Sequence, residues 1–260
     1  MRLQVLVATM NQKDFSLHQR MNIQSDAIIA NQCDKMLFKN ITVKDKVLKY
    51  LCFNERGVGL NRNNALMRAD SEVCLIADDD LVFVDGYEEI VIDTFRKNKD
   101  ADVIIFNLME DIPKRFVIRK KMRIRFNNYM RFGAARVAFK RESILKNNIY
   151  FSLNFGGGAK YSAGEDTLFL KDCLKHNLKI IAVPVYIAKL VEYRESTWFE
   201  GYNAKFFMDR GALFSAISKR WSWLLCLQFV VRRRSLFKDK MSMFTAYKLM
   251  KQGAKEYKVY

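Results

Sequence analysis

Three consecutive aspartates, Asp78, Asp79 and Asp80, follow an apolar run in the sequence CLIADDD. Adjacent carboxylates repel one another, so they stay ionised together only beside a cation or several hydrogen-bond donors. Carboxylate oxygens suit Mg2+ or Mn2+, and these ions commonly share their coordination with substrate phosphates. The triplet therefore predicts a divalent metal site for a phosphate-bearing substrate. A polar turn with helix-capping aspartates is the alternative interpretation.

A second acidic pair, Glu165 and Asp166, follows the glycine-rich sequence GGGAKYSAG and opens a predicted helix. Such a carboxylate could act as a general base that takes the proton from an attacking hydroxyl group. Carboxylates in the first turn of a helix are also stabilised by its dipole, so capping alone explains the pair equally well. The residues by themselves leave both interpretations open.

Aromatic side chains dominate a third segment, residues 196–214, where they stand among a few charged residues. An aromatic wall of this kind suits a sugar or a lipid-linked molecule. Core packing at roughly helical spacing is the alternative, and we favour it for Phe206 and Phe214.

Four short apolar runs must position the aspartate triplet. Each has the length and composition of a buried strand. They are residues 3–9, 27–30, 47–53 and 73–77. Helices are predicted at residues 15–21 and 61–68, the second after a loop that contains Gly57 and Gly59. This alternation predicts an α/β fold with a mostly parallel central sheet flanked by helices. Ligands of such sheets bind beyond the carboxyl ends of the strands, where the aspartates lie.

The patterns are less regular in the second half of the chain. We predict helices over residues 88–95 and 166–176, and strands over residues 103–107, 132–139 and 180–184. Residues 114–125 alternate partly between basic and apolar side chains, which predicts an extended hairpin.

The formal net charge of +17 is concentrated in two segments, residues 113–148 and 205–260. Nucleic acid, anionic lipid or a phosphorylated substrate could explain such segments. The C-terminal segment mixes its charge with large apolar residues, which is typical of helices that lie at a membrane surface. Packing on the core is the alternative. No nucleic-acid-binding signature is present, so we expect an anionic membrane surface as partner and no nucleic acid.

The five cysteines are scattered without a CxxC pair, which argues against a disulfide framework or a zinc site. Residues 1–10 are too short an apolar run for a signal peptide, and residues 221–231 reach about half the length of a membrane-spanning helix. We therefore expect a cytoplasmic protein that is peripheral on the inner face of the cell membrane.

The order of these features resembles family 2 glycosyltransferases of GT-A fold, of the bacterial surface-polysaccharide type. The resemblance rests on the first strand, NRNNA in a helix, ADDD at a strand end, the basic middle segment and GED. It covers residues 1–215 and implies a Rossmann-like GT-A catalytic domain there. Residues 216–260 would form a basic, amphipathic helical extension that could associate with the membrane.

The resemblance also implies roles for individual residues. Asp80 would bind Mg2+ or Mn2+, and Asp166, with Glu165 beside it, would supply the catalytic base. The donor-binding residues would be Thr9, Asn11, Asn31, Arg62, Asn63, Asp78 and Asp79. The acceptor-binding residues would be Gly157, Gly158 and Trp198.

Two departures from the family pattern concern the recognition of the donor base and the number of sugars transferred. The second strand ends at Asn31 where family members commonly carry an aspartate, with Asp34 further on. The QxxRW motif of processive enzymes is absent, which favours transfer of a single sugar over polymerisation.

The resulting expectation is an inverting, metal-dependent enzyme. It would move one sugar from a UDP-linked donor to a hydroxyl of a saccharide or lipid-linked acceptor in surface polysaccharide biosynthesis. A sugar nucleotidyltransferase is an alternative, although the sequence TMNQKDFS after the first strand lacks the glycines of its phosphate loop. A non-catalytic membrane- or polymer-binding module is a second alternative.

Overall fold

A single mixed sheet organises the part of the molecule before the C-terminal helices. The computed structural model describes residues 1–112, 115–191 and 199–257. The sheet has ten strands among these residues. In chain order they are β1 (Leu3–Met10), β2 (Asp26–Gln32), β3 (Leu37–Val43), β4 (Lys46–Phe53), β5 (Val73–Asp78), β6 (Leu81–Phe83), β7 (Val103–Met109), β8 (Met122–Arg123), β9 (Val137–Lys140) and β10 (Ile180–Leu190).

Helices cover both faces of this sheet and continue into a C-terminal bundle. They are α1 (Leu17–Arg20), α2 (Val58–Met67), α3 (Tyr87–Lys97), α4 (Arg141–Lys146), α5 (Glu165–Lys175), α6 (Ala204–Ile217), α7 (Ser222–Arg232) and α8 (Met243–Glu256). Two separate clusters of buried apolar side chains hold the helices to the sheet, one on each face. The predicted α/β class is therefore confirmed.

The spatial order of the strands is β3-β4-β2-β1-β5-β9-β7-β10-β6, with β8 beside β10. Parallel pairing joins β4, β2, β1 and β5, and also joins β7 to β10. These strands are largely buried, which explains why they read as continuous apolar runs in the sequence.

The sequence predicted a mostly parallel sheet, but the observed sheet is mixed. β9 runs antiparallel to both of its neighbours, β5 and β7, and the edge strands β3 and β6 are also antiparallel to theirs. A parallel connection requires a long crossover, usually a helix. The described residues between β7 and β9 contain the two-residue strand β8 and a 3-10 turn, Tyr129–Arg131, but no α-helix, and β9 enters the sheet in the opposite direction.

The predicted hairpin over residues 114–125 is wrong. Among its described residues only β8 pairs as a strand, with β10. Ile118 and Ile124 are buried, and their apolar side chains between basic residues gave the sequence its partial alternation without a hairpin. The side-chain amide of Asn107 holds Ile118 in place, since it donates to the Ile118 carbonyl and accepts from its N–H, both at 2.9 Å.

Three element boundaries differ from the predictions. Helix α2 begins at Val58 and includes Gly59, where a Cβ would lie 2.3 Å from the Ser152 carbonyl oxygen. The predicted strand over 132–139 is shortened to β9. Strand β10 continues beyond Pro184 because a register shift between Ala182 and Tyr186 accommodates the proline.

Helices α6, α7 and α8 form a bundle with its own apolar cluster. The predicted domain boundary after residue 215 falls within α6, which packs against α8 and also, through Ala212 and Leu213, against Leu168 of α5. The bundle therefore includes α6 and contacts α5 through it. None of the helices in the three described ranges has the length and apolar character needed to span a bilayer.

Candidate active site

The aspartate triplet lies at the carboxyl edge of the sheet, as predicted. Strand β5 is buried along its length and ends at Asp78, which pairs in register with Ala8 of β1. Asp79 and Asp80 form the turn into β6. The strand pairing thus brings Thr9, at the end of β1, beside the triplet.

Arg62 of α2 connects the triplet with the second acidic pair. Its Nη2 donates to Asp78 at 2.8 Å, and its Nη1 donates to Glu165 at 3.0 Å and to Asp166 at 2.7 Å. Its guanidinium also lies over the ring of Phe151, 5.3 Å from the centroid. Burial lowers the pKa of Arg62, but the three carboxylates outweigh burial and the net shift is upward. Arg62 is therefore a permanent cation at the centre of the site.

Asp79 is held by donors from the end of β1. The Thr9 hydroxyl donates to Asp79 Oδ2 at 2.5 Å, and Gln12 Nε2 donates to the same oxygen at 3.2 Å. Gln12 Nε2 also donates to Thr9 Oγ1 at 2.8 Å. Gln12 was not predicted from the sequence, because a glutamine in a polar loop carries no motif.

Asp80 differs from its two neighbours. Its Oδ1 is buried and has no hydrogen-bond partner among the described residues. Burial, followed by repulsion from Asp78, raises the pKa of Asp80 to about 6. A buried carboxylate oxygen without a donor is the feature that a bound cation would satisfy, so the residues fit the expected Mg2+ or Mn2+.

No group of three or more His, Cys, Asp or Glu side chains in the described residues forms a ready-made metal cage. Mg2+ is commonly held by one or two carboxylates together with substrate phosphates. A site built on Asp80 would therefore need phosphate oxygens from a substrate.

The second acidic pair stands at the start of α5 after Gly164, whose φ of 128° favours glycine. Glu165 is buried, and burial, followed by Asp166, raises its pKa to about 8 against the opposing effect of Arg62. The Asp166 side chain is 26% exposed, against 11% for Glu165. Asp166 is therefore the carboxylate that a substrate hydroxyl can reach.

Gly133 borders this carboxylate. A Cβ at that position would lie 3.2 Å from Asp166 Oδ2, the oxygen that Arg62 does not bind. The missing side chain leaves space in front of the oxygen. Sequence reasoning did not identify Gly133.

Several predicted donor-binding residues form hydrogen bonds within the protein. Both ends of the Asn31 amide bond the backbone of Gln12, at 3.1 Å each. Both ends of the Asn63 amide bond the backbone of Phe151, at 2.8 Å each. Asn11 is exposed, and its N–H donates to the Gln32 carbonyl. These asparagines shape the loops around the site.

The predicted acceptor loop lies against the start of α2. The Gly157 carbonyl accepts from Val58 N–H at 2.9 Å, and a Cβ on Gly158 would lie 3.0 Å from the nitrogen of Gly57. A Cβ on Gly157 would meet nothing within 4 Å, so this glycine faces open space. Trp198 lies outside the described residues.

Comparison with known proteins agrees with this geometry. The profile of Glycosyl transferase family 2 matches residues 24–155. No curated protein sequence matches significantly. Among solved structures, Staphylococcus aureus TarS 1-349 in complex with UDP-GlcNAc is 15% identical with a TM-score of 0.66, covering 98% of this chain and 82% of that one. Its complex with UDP is 16% identical with a TM-score of 0.63, covering 97% and 81%.

A longer S. aureus TarS structure is 12% identical with a TM-score of 0.59, and this chain covers 43% of it. At these identities the likeness concerns the fold, which is the GT-A fold expected from the sequence. The family profile covers half of the chain and includes Arg62 and the aspartate triplet. This chain belongs to glycosyltransferase family 2.

Proposed function

We propose that this protein transfers one sugar from a UDP-linked donor to a hydroxyl of a saccharide or lipid-linked acceptor, with inversion at the anomeric carbon. The observation that carries the proposal is the bridge that Arg62 makes between Asp78 and Asp166. It fixes the donor-side aspartates and the reachable carboxylate in one arrangement. The TarS 1-349 structures with UDP-GlcNAc and UDP support the donor class.

The residues divide the chemistry between them. Asp166 accepts the proton of the acceptor hydroxyl, whose oxygen attacks the anomeric carbon while the bond to the diphosphate breaks on the opposite side. Arg62 donates to Asp166 Oδ1 and so orients the carboxylate. Asp80 would hold Mg2+ or Mn2+, which when bound neutralises the charge on the departing diphosphate. Most of the rate would come from this positioning and charge neutralisation.

Family membership argues against the nucleotidyltransferase alternative. The alternative of a non-catalytic module is tested by donor binding. We expect UDP-sugars to raise the thermal unfolding midpoint of the protein when Mn2+ is present. Asp80→Ala should abolish the Mn2+-dependent part of this shift, whereas Asp93→Ala, which removes an exposed aspartate of α3, should keep it. A panel of nucleotide-sugars that leaves the midpoint unchanged would contradict the proposal.

We also propose that the C-terminal bundle binds an anionic membrane surface, where a lipid-linked acceptor would be found. Four side chains on one face of α7 are exposed: Trp223, Leu224, Leu227 and Val231. The helix ends at Arg232, and Arg233 follows, so cations flank the apolar face. Apolar groups beside cations match the chemistry of an anionic lipid surface.

Flotation with vesicles of phosphatidylcholine and phosphatidylglycerol tests this membrane contact. The double variant Trp223→Ser with Leu227→Ser should lose binding. Phe126→Ser, which removes an exposed aromatic ring outside the bundle, should bind like the wild type. Binding that survives in the double variant would show that α7 is not the contact.

A further inference from the structure

A cavity of about 200 Å3 opens at the carboxyl end of β7, outside the residues assigned above. Its polar lining comes from Asn107, Glu110, Arg115, Arg136 and Tyr186. A water molecule occupies roughly 30 Å3 in the liquid, so the cavity has room for a ligand group and not only for one or two waters.

Arg136 is the unusual member of this lining. The residue is 2% exposed, yet its Nε and Nη2 have no hydrogen-bond partner among the described residues. Nη1 donates to the Phe116 carbonyl at 3.1 Å, and the guanidinium lies over the Phe132 ring. A buried guanidinium with unused donors is costly, so a protein that keeps one commonly uses it for an anionic partner.

The neighbouring charges do not neutralise Arg136. Glu110 is the acid in the lining, and its carboxylate forms an ion pair with Arg115. Burial and then repulsion from Arg115 lower the pKa of Arg136 to about 10, against the smaller opposing effect of Glu110. The lining of the cavity therefore carries a net positive charge, and Arg136 adds two buried nitrogens that have no partner in the part of the chain that the structure describes.

The cavity lies close to Asp80. Met109, which lines it, pairs with Lys189 of β10, and the next residue of β10, Leu190, pairs with Leu81 of β6. Met109 is thus two strand spacings, or roughly 10 Å, from Leu81, the residue that follows Asp80. Arg115 is also near enough to Asp80 to lower the pKa of that carboxyl. A substrate bound at Asp80 can therefore extend into this cavity.

We propose that this cavity is an oxyanion subsite, in which Arg136 donates from Nε and Nη2 to a phosphate or carboxylate group of a bound substrate. The planar guanidinium matches the two oxygens of such a group, and Arg115 adds charge from the rim. The source of the oxyanion rests on the proposed function: it is either the donor diphosphate or an acidic group on the acceptor. The chemistry of the subsite does not depend on that choice.

Inorganic phosphate is the probe for the subsite. At matched ionic strength, set with NaCl, phosphate should raise the unfolding midpoint of the full-length protein. The shift should disappear in Arg136→Met, which keeps the side-chain length without the charge, and should remain in part in Arg136→Lys. Arg125→Met removes an exposed arginine of the same basic segment and should respond like the wild type.

The same titration with saturating UDP distinguishes the two sources. If UDP removes the phosphate response, the subsite takes the donor diphosphate. If the two shifts add, it takes an acidic group of the acceptor, and Arg136→Met should then raise the KM for the acceptor at least tenfold with unchanged UDP affinity.

The proposal is overturned if phosphate stabilises the wild type and Arg136→Met equally, or if phosphate has no effect on the wild type. Failure of the proposed function is a separate result, since it appears as absent binding of UDP and UDP-sugars. A phosphate response without any UDP response would leave the subsite standing and remove the donor assignment.

Discussion

At the scale of residues, Arg62 organises the site through pairs that are distant in the sequence. It binds Asp78, 16 residues away, and Asp166, 104 residues away. The roles that the family resemblance implies for these residues stay predictions. For Asp80 they are supported by a buried Oδ1 that has no hydrogen-bond partner within the described ranges. The assignment of the base to Asp166 remains a proposal, and the difference in exposure between Asp166 and Glu165 supports it.

Glu165 gives a prediction about pH. Burial raises its pKa from the ordinary 4.5 to about 8, so between these values the folded protein keeps a proton that the unfolded chain has released. This contribution to stability is complete below pH 4.5 and is lost as the pH rises toward about 8. Urea unfolding of the wild type should therefore lose more stability between pH 5 and pH 8 than unfolding of Glu165→Gln.

The control for this comparison is Glu142→Gln, which removes an exposed carboxyl in the first turn of α4. It should follow the pH dependence of the wild type. Equal slopes for the wild type and Glu165→Gln would show that the Glu165 carboxyl is ionised throughout this range.

Sequence reasoning at this scale depended on residue type. A run of two or three adjacent carboxylates can be recognised in a sequence as a candidate site, because adjacent negative charges repel one another and need a stabilising partner. An asparagine does not, since the same amide can bind a ligand or a backbone, and Asn63 does the second. Arg136 is one of many basic residues in its segment, and only its burial distinguishes it.

At the scale of elements, the strands that were predicted correctly are those buried on both faces. β1, β2, β4 and β5 read as apolar runs because helices cover them on both sides. The edge strand β3 was not predicted, since its side chains are mostly exposed and leave no apolar pattern. β3 and β4 form a local hairpin, and its two-residue turn places Lys44 at a φ of 57°, a conformation that lysine does not signal in a sequence.

Helix α6 crosses α8 at two glycines, and this crossing gives a prediction about stability. A Cβ on Gly211 would lie 1.9 Å from the Met250 carbonyl oxygen, and one on Gly253 would lie 2.0 Å from that of Met208. Gly211→Ala must therefore push the helices apart, and we expect a loss of about 1–3 kcal/mol in the free energy of unfolding.

Urea denaturation measures this loss. Lys255→Ala, on the exposed side of α8, is the matched control and should change the stability by less than about 0.5 kcal/mol. A Gly211→Ala protein as stable as the wild type would mean that the two helices can separate at no cost, contrary to the packing described above.

At the scale of the whole molecule, the charge distribution is consistent with the proposed reaction. The chain carries a net charge of +17, yet three carboxylates, those of Asp78, Glu165 and Asp166, meet around Arg62 at the carboxyl edge of the sheet. One basic segment contributes Arg115 and Arg136 to the cavity beside this edge, and the other forms the bundle with its exposed apolar helix. The sequence located these two segments, but only the fold shows that the first borders the site.

The C-terminal bundle contacts the part of the molecule that contains the candidate site. The family resemblance placed a boundary at residue 215, where the motifs of the family end. Packing places α6 in the bundle and also against α5, whose first turn contains Asp166. The bundle is thus physically connected to the helix that holds the proposed base.

The central claim is that Asp166 is the base of a sugar transfer, and the most direct measurement compares transfer with donor binding in Asp166→Asn. We predict that the variant loses at least about a hundredfold in turnover, as expected for removal of a general base, while its affinity for UDP in the presence of Mn2+ stays within a few fold of the wild type. Asp172→Asn, on the same helix, should keep the turnover and the UDP affinity of the wild type. Unchanged turnover in Asp166→Asn would contradict the account.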